Sequence, residues 1–435
     1  MSVHTLRVLD STANVGTIDQ ESFDERFSFR YSPQWLREPG SYSISPHITV
    51  LGPDAGSGTI RRFLENLLPE GPALEALSVA HRVPRNNPCG LIRACGWETA
   101  GALSFVSREV EPSDEPGREV TPKELAQRIR GRPRSPFSVW DGRVRVSIAG
   151  AQDKLPVYQD HDGRMYLPAW KLASTVILKP EPVDVRLPML VANEHFCMSL
   201  ARKLELPAAT VSILRVPEPI LMVERFDRMR DAQGVRRRHV VDGCQALNLP
   251  VSCKYEHNIT LGQDSAERRE GVSFERLFSI ADYSVEQEAT RLMLLRWALL
   301  QFLIGNTDAH AKNVSFFCGQ SGLVLAPYYN LASLAQYPGV RQELAMACGD
   351  EFVLERIRPY DWAEFAARTG TPRRVLVREM RRLAAAAGPA AVQQASDPVY
   401  ANEEARFLAR IGTFVQAQAA RLLEMADLIL KVDLE

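Results

Sequence analysis

The segment Ile304-Gly305-Asn306-Thr307-Asp308-Ala309-His310-Ala311-Lys312-Asn313 places a carboxylate and a carboxamide five residues apart, directly after a strongly apolar stretch. In loops that catalyse phosphoryl transfer, an Asp orients the attacking hydroxyl and accepts its proton, and a nearby Asn helps to hold Mg²⁺ against the nucleotide phosphates. Asp308 and Asn313 are the candidate pair. Taken alone, the segment fits a polar helix-to-strand turn equally well, because Asn, Thr and Asp are common turn residues. The remainder of the chain has to decide between a catalytic loop and a polar turn.

Length and charge limit the classes of protein to consider. The chain has 435 residues and a formal net charge of −1, with 52 basic and 53 acidic residues. This balance argues against a polyanion-binding surface spread over the whole protein, and the length suffices for two or three packed units. The N-terminus lacks the pattern of a signal peptide, and the longest apolar stretch, 292–304, is too short to span a bilayer. We therefore expect a cytoplasmic protein without a membrane contact.

Periodicity divides the chain into a half with strands and a mainly helical half. Strand patterns occur at 6–9, 27–31, 144–148, 155–158, 175–179 and 221–226, and helical patterns at 60–68, 189–204, 285–304 and 403–430. We predict an α+β, bilobal kinase-like fold with a mixed α/β N-terminal half and an all-helical C-terminal half. Its expected parts are an accessory subdomain at 1–106, a linker at 107–140, a β-rich nucleotide-binding lobe at 141–228 and a helical catalytic lobe at 229–435. Nucleotide is expected in the cleft between the lobes.

Two helix starts carry capping signals. In the predicted linker, Thr121 is placed to cap a short helix, with Pro122 at its first position and Glu124 closing a capping box. Ser284 and Gln287 form a second candidate capping box, for the helix that ends at Ile304. These signals predict where both helices begin.

Further candidate residues follow the order of a kinase along the chain. A loop of small residues between two strands brings backbone N–H groups close to phosphates, and it contains Ser147, Gly150, Ala151, Gln152 and Lys154. Lys179 ends a β-branched run, and Glu194 on the next helix is its candidate partner. Glu224 and Phe226 lie where a hinge between lobes would meet adenine. Three of these candidates have a structural alternative. Lys179 could be a solvated lysine at the end of a strand, Glu194 could lie on a solvated helix face, and the segment with Glu224 and Phe226 could be an edge strand.

Two other stretches bear on a metal or a nucleic acid. His310 is expected to orient the catalytic loop, because no other cluster of His and Asp completes a metal cage around it. A hairpin predicted over 315–325 leads to Asn330, at the point where a kinase normally has a second metal ligand, an Asp. The basic run 236–239 follows a turn and is interpreted as a solvated hairpin arm, not as a nucleic-acid patch.

Together these motifs resemble the HipA-type serine/threonine kinase toxins of bacterial toxin–antitoxin modules. The matching segments are 63–70, 147–154, 175–179, 193–194, 223–228, 244–247, 254–256, 305–313 and 344–346. They span nearly the whole chain and are jointly very specific. The family is similar in fold to phosphoinositide 3-kinase-like enzymes.

The resemblance implies a role for each candidate residue. It implies Asp308 as the catalytic base, Asn313 and position 330 as Mg²⁺ ligands, Lys179 as a phosphate contact, Glu224 and Phe226 at adenine, and Ser147 as an autophosphorylation site. It also implies ATP and Mg²⁺ as cofactors. Members of the family phosphorylate aminoacyl-tRNA synthetases, chiefly the glutamyl enzyme, which arrests translation and favours persistence. A small helix-turn-helix antitoxin inhibits them and represses the operon, so operator DNA is an expected partner only through the antitoxin.

Asn330 departs from the pattern of the family. A carboxamide keeps one oxygen ligand but removes a full negative charge from a divalent-ion site. Natural divergence toward a weak or inactive kinase and an engineered change both explain it. The main alternative function is therefore a kinase-shaped binding protein that holds an antitoxin on operator DNA, and a weaker alternative is a small-molecule or lipid kinase on the same fold.

Overall fold

The computed structural model describes residues 3–21, 26–107, 117–132, 137–141, 143–144, 152–170, 172–232, 234–257 and 269–434. The chain divides into two compact units. The first unit comprises Met1–Val183, Leu214–Val251 and Phe316–Ala326, and the second comprises Asp184–Ile213, Ser252–Ser315 and Pro327–Glu435. The four parts expected from the sequence stay a prediction.

The described residues form strands and helices along the whole chain. The strands are β1 (Val3–Asp10), β2 (Ala13–Glu21), β3 (Arg26–Tyr31), β4 (Leu103–Ser107), β5 (Glu119–Val120), β6 (Val139–Trp140), β7 (Arg143–Val144), β8 (Leu155–Gln159), β9 (Met165–Tyr166), β10 (Val176–Pro180), β11 (Val211–Arg215), β12 (Pro219–Glu224), β13 (Arg228–Asp231), β14 (Gly234–Arg237), β15 (Val240–Asp242), β16 (Ser315–Gly319), β17 (Gly322–Leu325), β18 (Glu343–Cys348) and β19 (Glu351–Val353). The helices are α1 (Ser57–Leu67), α2 (Gly71–His81), α3 (Pro88–Cys95), α4 (Pro122–Arg130), α5 (Leu190–Lys203), α6 (Gly243–Ala246), α7 (Phe274–Ser279), α8 (Gln287–Ile304), α9 (Pro359–Arg368), α10 (Arg373–Ala395) and α11 (Asn402–Ile429).

The first unit begins with an antiparallel sheet in the order β3-β2-β1-β4. Buried and exposed residues alternate along β3, as expected for a strand with one face against a core. Helix α1 packs on β3 and helix α3 packs on β4. The buried residues of α1 include Ile60, Phe63, Leu64 and Leu67, whose helical spacing confirms the helix predicted from the sequence.

A second sheet has the order β11-β12-β10-β8-β9-β5. Its core includes Val120, Leu125, Ile129, Phe137, Trp140, Leu155, Val157, Met165, Leu167, Val176, Leu178 and Ile220. The first five of these belong to the stretch expected to be a linker, so the described part of that stretch packs into a core. The Thr121 side chain accepts a hydrogen bond from the Glu124 N–H at 3.3 Å, and Pro122 occupies the first turn of α4. The predicted start of α4 is confirmed.

The second unit is mainly helical. The all-helical C-terminal half expected from the sequence is wrong, because strands β13 to β19 all lie after residue 227, and β18 and β19 pair as an antiparallel hairpin within this unit. Helices α10 and α11 pack along each other, and both contact α5, α8 and α9. None of the described helices has the length and apolar content needed to cross a bilayer. Helix α11 spans Asn402–Ile429, which confirms the long amphipathic helix expected over 403–430.

Helix α8 leads directly into the candidate catalytic loop. The predicted capping box at its start is wrong, because Glu286 occupies the N-cap position and Ser284 instead ends the 3₁₀ helix Ile280–Tyr283. Its end is as predicted, with Gly305 in the left-handed conformation at φ +64°. A Cβ atom at this position would lie 2.7 Å from the Phe414 ring. Backbone conformation and space therefore both favour glycine at the point where the loop leaves the helix.

The basic run 236–239 forms the end of the β13–β14 hairpin and the residues after it, but it is not wholly solvated. Arg237 has a buried side chain, and His239 is 3% exposed. The His239 ring stacks on Tyr42 with centroids 5.3 Å apart, and its Nε2 lies 2.8 Å from the Ile44 carbonyl oxygen. A carbonyl oxygen only accepts, so the neutral imidazole donates through Nε2. The expected solvated arm is thus corrected at these two positions.

His239 is expected to make the protein less stable in acid. Burial lowers the pKa of His239 from 6.5 to about 4. Between these values the unfolded chain binds the proton more readily than the folded chain, so the free energy of unfolding falls as pH falls from 6.5 toward 4. We expect this histidine to contribute up to about 3 kcal/mol to the fall. Urea unfolding across this range should give a shallower pH slope for His239→Gln, and an unchanged slope for the exposed control His4→Gln. Equal slopes for the parent and His239→Gln would contradict the assignment.

Candidate active site

Hydrogen bonds to the end of α8 fix the start of the catalytic loop. The Asn306 side chain donates to Gln301 Oε1 at 2.8 Å, and Asn306 Oδ1 accepts the N–H of Asp308 at 3.2 Å. Both Gln301 and Asn306 are buried, whereas the Asp308 side chain is 40% exposed. A rigid backbone therefore presents a carboxylate that an incoming hydroxyl group can reach.

Tyr255 contacts the Asp308 carboxylate directly. Its hydroxyl donates to Asp308 Oδ1 at 2.5 Å, and its ring packs edge-on against His310 with centroids 5.0 Å apart. His310 Nε2 lies 4.0 Å from the same carboxylate oxygen. These two aromatic side chains limit the orientations available to the carboxylate. The position of His310 agrees with its expected orienting role, whereas the sequence analysis assigned no role to Tyr255.

The neighbours of Tyr255 hold it at the loop. The Lys254 carbonyl accepts the Ala311 N–H at 3.0 Å, which joins this segment to the catalytic loop. Glu256 is buried, and its Oε2 accepts the Ala347 N–H at 2.8 Å. Burial also raises the pKa of Glu256. The segment 254–256 therefore connects the catalytic loop to strand β18. The family match at 254–256 marked the position of Tyr255, but the contact with Asp308 follows only from the fold.

The two candidate metal ligands contact each other. Asn313 Nδ2 donates to the Asp308 carbonyl oxygen at 2.7 Å, so its Oδ1 faces away from the loop backbone. Asn330 Nδ2 donates to that Asn313 Oδ1 at 3.2 Å. Asn330 has φ +56°, a left-handed conformation that Asn and Asp adopt more readily than most residues. The structure thus brings Asp308, Asn313 and Asn330 together, as the sequence order suggested.

Two side chains fix the backbone around position 330, one from helix α5 and one from the residue directly before it. Asn193 of α5 accepts the Ser333 N–H at 2.8 Å and donates to the Ser333 carbonyl oxygen at 3.0 Å. Tyr329, directly before position 330, donates through its hydroxyl to the Lys312 carbonyl oxygen at 2.6 Å. Neither contact was predicted, because each joins residues that are distant in sequence. Together they hold the backbone of Asn330 beside the catalytic loop.

These residues do not form a metal site by themselves. The described residues contain no group of three or more His, Cys, Asp or Glu side chains suited to holding an ion. The side-chain oxygen Oδ1 of Asn313 already accepts a hydrogen bond from the Asn330 amide, and both side chains are neutral. Divalent cations such as Mg²⁺ favour carboxylate and phosphate oxygens. Two neutral amide oxygens could therefore hold Mg²⁺ only together with negatively charged phosphate oxygens of a nucleotide.

The first unit carries the candidate nucleotide contacts. Lys179 lies in β10, and Glu224 ends the adjacent antiparallel strand β12. Lys179 is 7% exposed, whereas Glu224 is exposed. Phe226 is half-buried and packs edge-on against Phe317 with ring centroids 5.9 Å apart. Strand pairing therefore brings the end of the predicted hinge beside the start of the strand that carries Lys179.

Part of the predicted phosphate loop is described. Ser147, Gly150 and Ala151 lie outside the described residues. Gln152 is half-buried and Lys154 is buried directly before β8. Their roles at a phosphate stay predictions.

Glu194 is buried in α5 of the second unit, which removes the alternative of a solvated helix face. Lys179 belongs to the first unit. The pairing of its ammonium group with the Glu194 carboxylate stays a prediction.

Known proteins match this chain over most of its length. Sequence profiles described as HipA N-terminal domain and HipA-like C-terminal domain match residues 6–106 and 146–391. The serine/threonine-protein kinase toxin HipA of Shewanella oneidensis is 37% identical over 425 residues, which cover 96% of each chain. The protein Y4mE of Sinorhizobium fredii is 31% identical over 432 residues, or 97% of this chain and 98% of Y4mE.

A solved structure extends the likeness to three dimensions. The complex of HipA, HipB and operator DNA from Shewanella oneidensis MR-1 matches with a TM-score of 0.90 at 36% identity, covering 99% of this chain and 100% of the solved chain. The kinase-like fold with mixed helix and sheet content is confirmed, whereas the likeness to phosphoinositide 3-kinase-like enzymes and the arrangement of lobes stay predictions. Two matching profiles, a full-length relative and a full-length structural match agree, and the chain belongs to the HipA family of serine/threonine-protein kinase toxins.

Proposed function

We propose that this protein is an ATP- and Mg²⁺-dependent protein serine/threonine kinase, the toxin of a toxin–antitoxin module. The observation that supports this most directly is the partly exposed Asp308 carboxylate, oriented by Tyr255, in a loop whose backbone accepts a hydrogen bond from Asn313, which in turn accepts one from Asn330. The proposed substrate is a protein hydroxyl on a translation component, an aminoacyl-tRNA synthetase. The proposed partner is a small helix-turn-helix antitoxin, which would mediate any contact with operator DNA.

The proposed reaction assigns one task to each group. The acceptor hydroxyl donates its hydrogen bond to Asp308, and its oxygen attacks the γ-phosphorus of ATP. The bond from the γ-phosphorus to the bridging oxygen breaks, ADP leaves, and the hydroxyl proton passes to the Asp308 carboxylate. Lys179 binds phosphate, while Glu224 and Phe226 contact adenine. Mg²⁺ bound to the phosphates would neutralise developing charge, with Asn313 and Asn330 as its neutral protein ligands.

The acceptor class can be tested directly with ATP labelled in its γ-phosphate. The parent protein and its Asn330→Asp variant are incubated with labelled ATP and, in separate reactions, an aminoacyl-tRNA synthetase, phosphoinositide vesicles or a sugar. With the Asn330→Asp variant, we expect label on serine or threonine of the protein acceptor and on Ser147 of the kinase itself, and none in the lipid or the sugar. Label in the lipid or the sugar would favour a lipid or small-molecule kinase instead.

Asn330 specifically favours a second candidate function, a kinase-fold binding protein without activity that serves as antitoxin partner and operon co-repressor. The neutral pair Asn313 and Asn330 offers a metal no carboxylate, as such a protein would tolerate. Under this alternative, the parent transfers no phosphate, yet it increases the affinity of the antitoxin for its operator. Phosphate transfer to a protein acceptor by the parent would exclude this alternative.

Ser147 is proposed to be an autophosphorylation site that switches the kinase off. A phosphoryl group adds about −2 charge at neutral pH, next to the proposed position of the nucleotide phosphates. We expect Ser147→Asp to weaken ATP binding severalfold, and the control Ser147→Ala to bind ATP as the parent does. Calorimetric titration with a non-hydrolysable ATP analogue measures the affinity of each variant. Equal affinity in the two variants would rule out repulsion as the mechanism.

A further inference from the structure

A cluster of charged side chains is buried in the first unit, around the turn that follows β12. It consists of Glu98, Arg225, Asp227, Arg228 and Arg237, and none of these side chains is more than 8% exposed. Three guanidinium groups face two carboxylates. Burying charge is unfavourable unless each group is paired and hydrogen-bonded, so such a cluster is poor evidence for stability and better evidence for a defined geometry.

Glu98 is the common acceptor of this cluster. Its Oε1 accepts hydrogen bonds from Arg225 at 3.1 Å, Arg228 at 3.0 Å and the Ser174 hydroxyl at 2.7 Å. Its Oε2 accepts from Arg237 at 2.6 Å. Burial alone would raise the pKa of Glu98, but the three guanidinium groups outweigh it and lower that pKa to about 2. Glu98 is therefore charged at neutral pH and pairs with all three arginines, two of which, Arg225 and Arg228, also pair with Asp227.

The backbone near Glu98 is tied to the same turn. The Thr99 carbonyl oxygen accepts from Arg225 at 3.1 Å and from Arg228 at 3.0 Å. The Gly101 N–H donates to Asp227 Oδ2 at 2.7 Å, and the Gly101 carbonyl oxygen accepts from Arg228 at 2.9 Å. Segment 98–101 thus contacts the turn through both side chains and backbone. It belongs to the stretch matched by the HipA N-terminal domain profile.

The buried residues alternate with the two proposed adenine contacts. Arg225 and Asp227 are buried in the cluster, whereas Glu224 is exposed and Phe226 is half-buried. The Arg225 N–H also donates to the Thr175 carbonyl oxygen at 2.9 Å. Fixing residues 225 and 227 leaves the backbone of residues 224 and 226 little freedom. The cluster consequently determines where the proposed adenine-binding groups lie.

We propose that Glu98 is a positioning residue for the turn 224–228, through which the N-terminal domain sets nucleotide affinity without touching the nucleotide. The proposal rests on the proposed function, because the adenine contacts of Glu224 and Phe226 belong to it. It explains why the segment 223–228 contains two arginines and an aspartate beside the adenine contacts: Arg225, Asp227 and Arg228 connect the turn to Glu98.

The test compares three variants of the full chain. Glu98→Gln removes the central charge with little change of shape, and Ser174→Ala removes only one hydroxyl bonded to it. Glu65→Gln is the matched control, because Glu65 lies in the same N-terminal stretch and pairs with Arg61 on α1, outside the cluster. Calorimetry measures affinity for a non-hydrolysable ATP analogue and for inorganic tripolyphosphate, each with Mg²⁺. Hydrogen–deuterium exchange of peptides covering 224–228 is measured without ligand.

We expect Glu98→Gln to weaken binding of the ATP analogue about tenfold, because small displacements of positioned groups are costly. Tripolyphosphate affinity should stay within about twofold of the parent, since tripolyphosphate has no adenine. Exchange at 224–228 should rise in Glu98→Gln and, to a smaller extent, in Ser174→Ala. The control Glu65→Gln should match the parent in both affinities and in exchange at 224–228. A general loss of fold would weaken the binding of both ligands equally, whereas the proposal predicts weaker binding of the ATP analogue alone.

Two outcomes would overturn the proposal. One is a folded Glu98→Gln protein with parental affinity for the ATP analogue. The other is unchanged exchange at 224–228. If Glu98→Gln does not fold, Ser174→Ala tests the proposal instead, through its affinity for the ATP analogue and its hydrogen–deuterium exchange at 224–228. A parent protein that binds neither ligand would instead contradict the proposed function, and the exchange measurement would still decide whether Glu98 positions the turn.

Discussion

Asp308→Asn, introduced together with Asn330→Asp, is expected to lower the rate of phosphoryl transfer by roughly 10²–10⁴, the contribution typical of a general base. The carboxamide keeps the shape of the side chain and still accepts a hydrogen bond from Tyr255, so the loop should keep its conformation. Nucleotide affinity should change no more than about threefold, because Asp308 is proposed to act on the acceptor hydroxyl and not on ATP. Transfer rates from labelled ATP and calorimetric affinities measure the two effects.

The matched control is Asp282→Asn, also introduced together with Asn330→Asp. Asp282 is also an aspartate of the second unit, but its side chain is 59% exposed and pairs with Arg291 outside the catalytic loop. Its transfer rate should equal that of the Asn330→Asp protein. Transfer by the Asp308→Asn, Asn330→Asp protein at a rate close to that of the Asn330→Asp protein would show that another group accepts the proton, and the assignment of the catalytic loop would be wrong.

Asn330→Asp is expected to raise phosphoryl transfer by about 10² or more and to restore toxicity to cells. In the parent, the Asn330 amide donates to Asn313 Oδ1, so it occupies a candidate ligand oxygen and contributes no negative charge. Asp has no N–H to donate and adds a carboxylate, which strengthens a Mg²⁺ site. The left-handed backbone at position 330 also tolerates Asp. The parent should bind ATP but transfer phosphate slowly or not at all.

Asn402→Asp is the control for this charge change. Asn402 is exposed at the first position of α11, where a negative charge is tolerated. It should leave both the slow transfer and the ATP affinity of the parent unchanged. Robust transfer by the parent, with little gain in the Asn330→Asp protein, would show that other groups hold the metal and that Asn330 does not disable the site.

The sequence by itself determined the family and several of its strands and helices, but not the strands β18 and β19 in the half expected to be all-helical. The segment 305–313 indicated the catalytic loop, and Gly305 marked the end of α8 because a left-handed residue in close contact has to be glycine. These features are local: caps, periodicity and motif spacing depend on residues that are near each other in the chain. The failed prediction at Ser284 was local as well, since Glu286 occupies the N-cap position of that helix.

The tertiary structure alone decided which distant groups meet. Tyr255 reaches Asp308 across 53 positions of sequence, and Asn193 reaches Ser333 across 140. Arg237 and Arg225 were indistinguishable from surface arginines until the fold placed both on Glu98. A buried charge is stable only when its partner arrives from elsewhere in the chain, so its pairing follows from packing and not from spacing. For the same reason the sequence named Asn313 and Asn330 as ligands, but only the fold showed one amide bonded to the other.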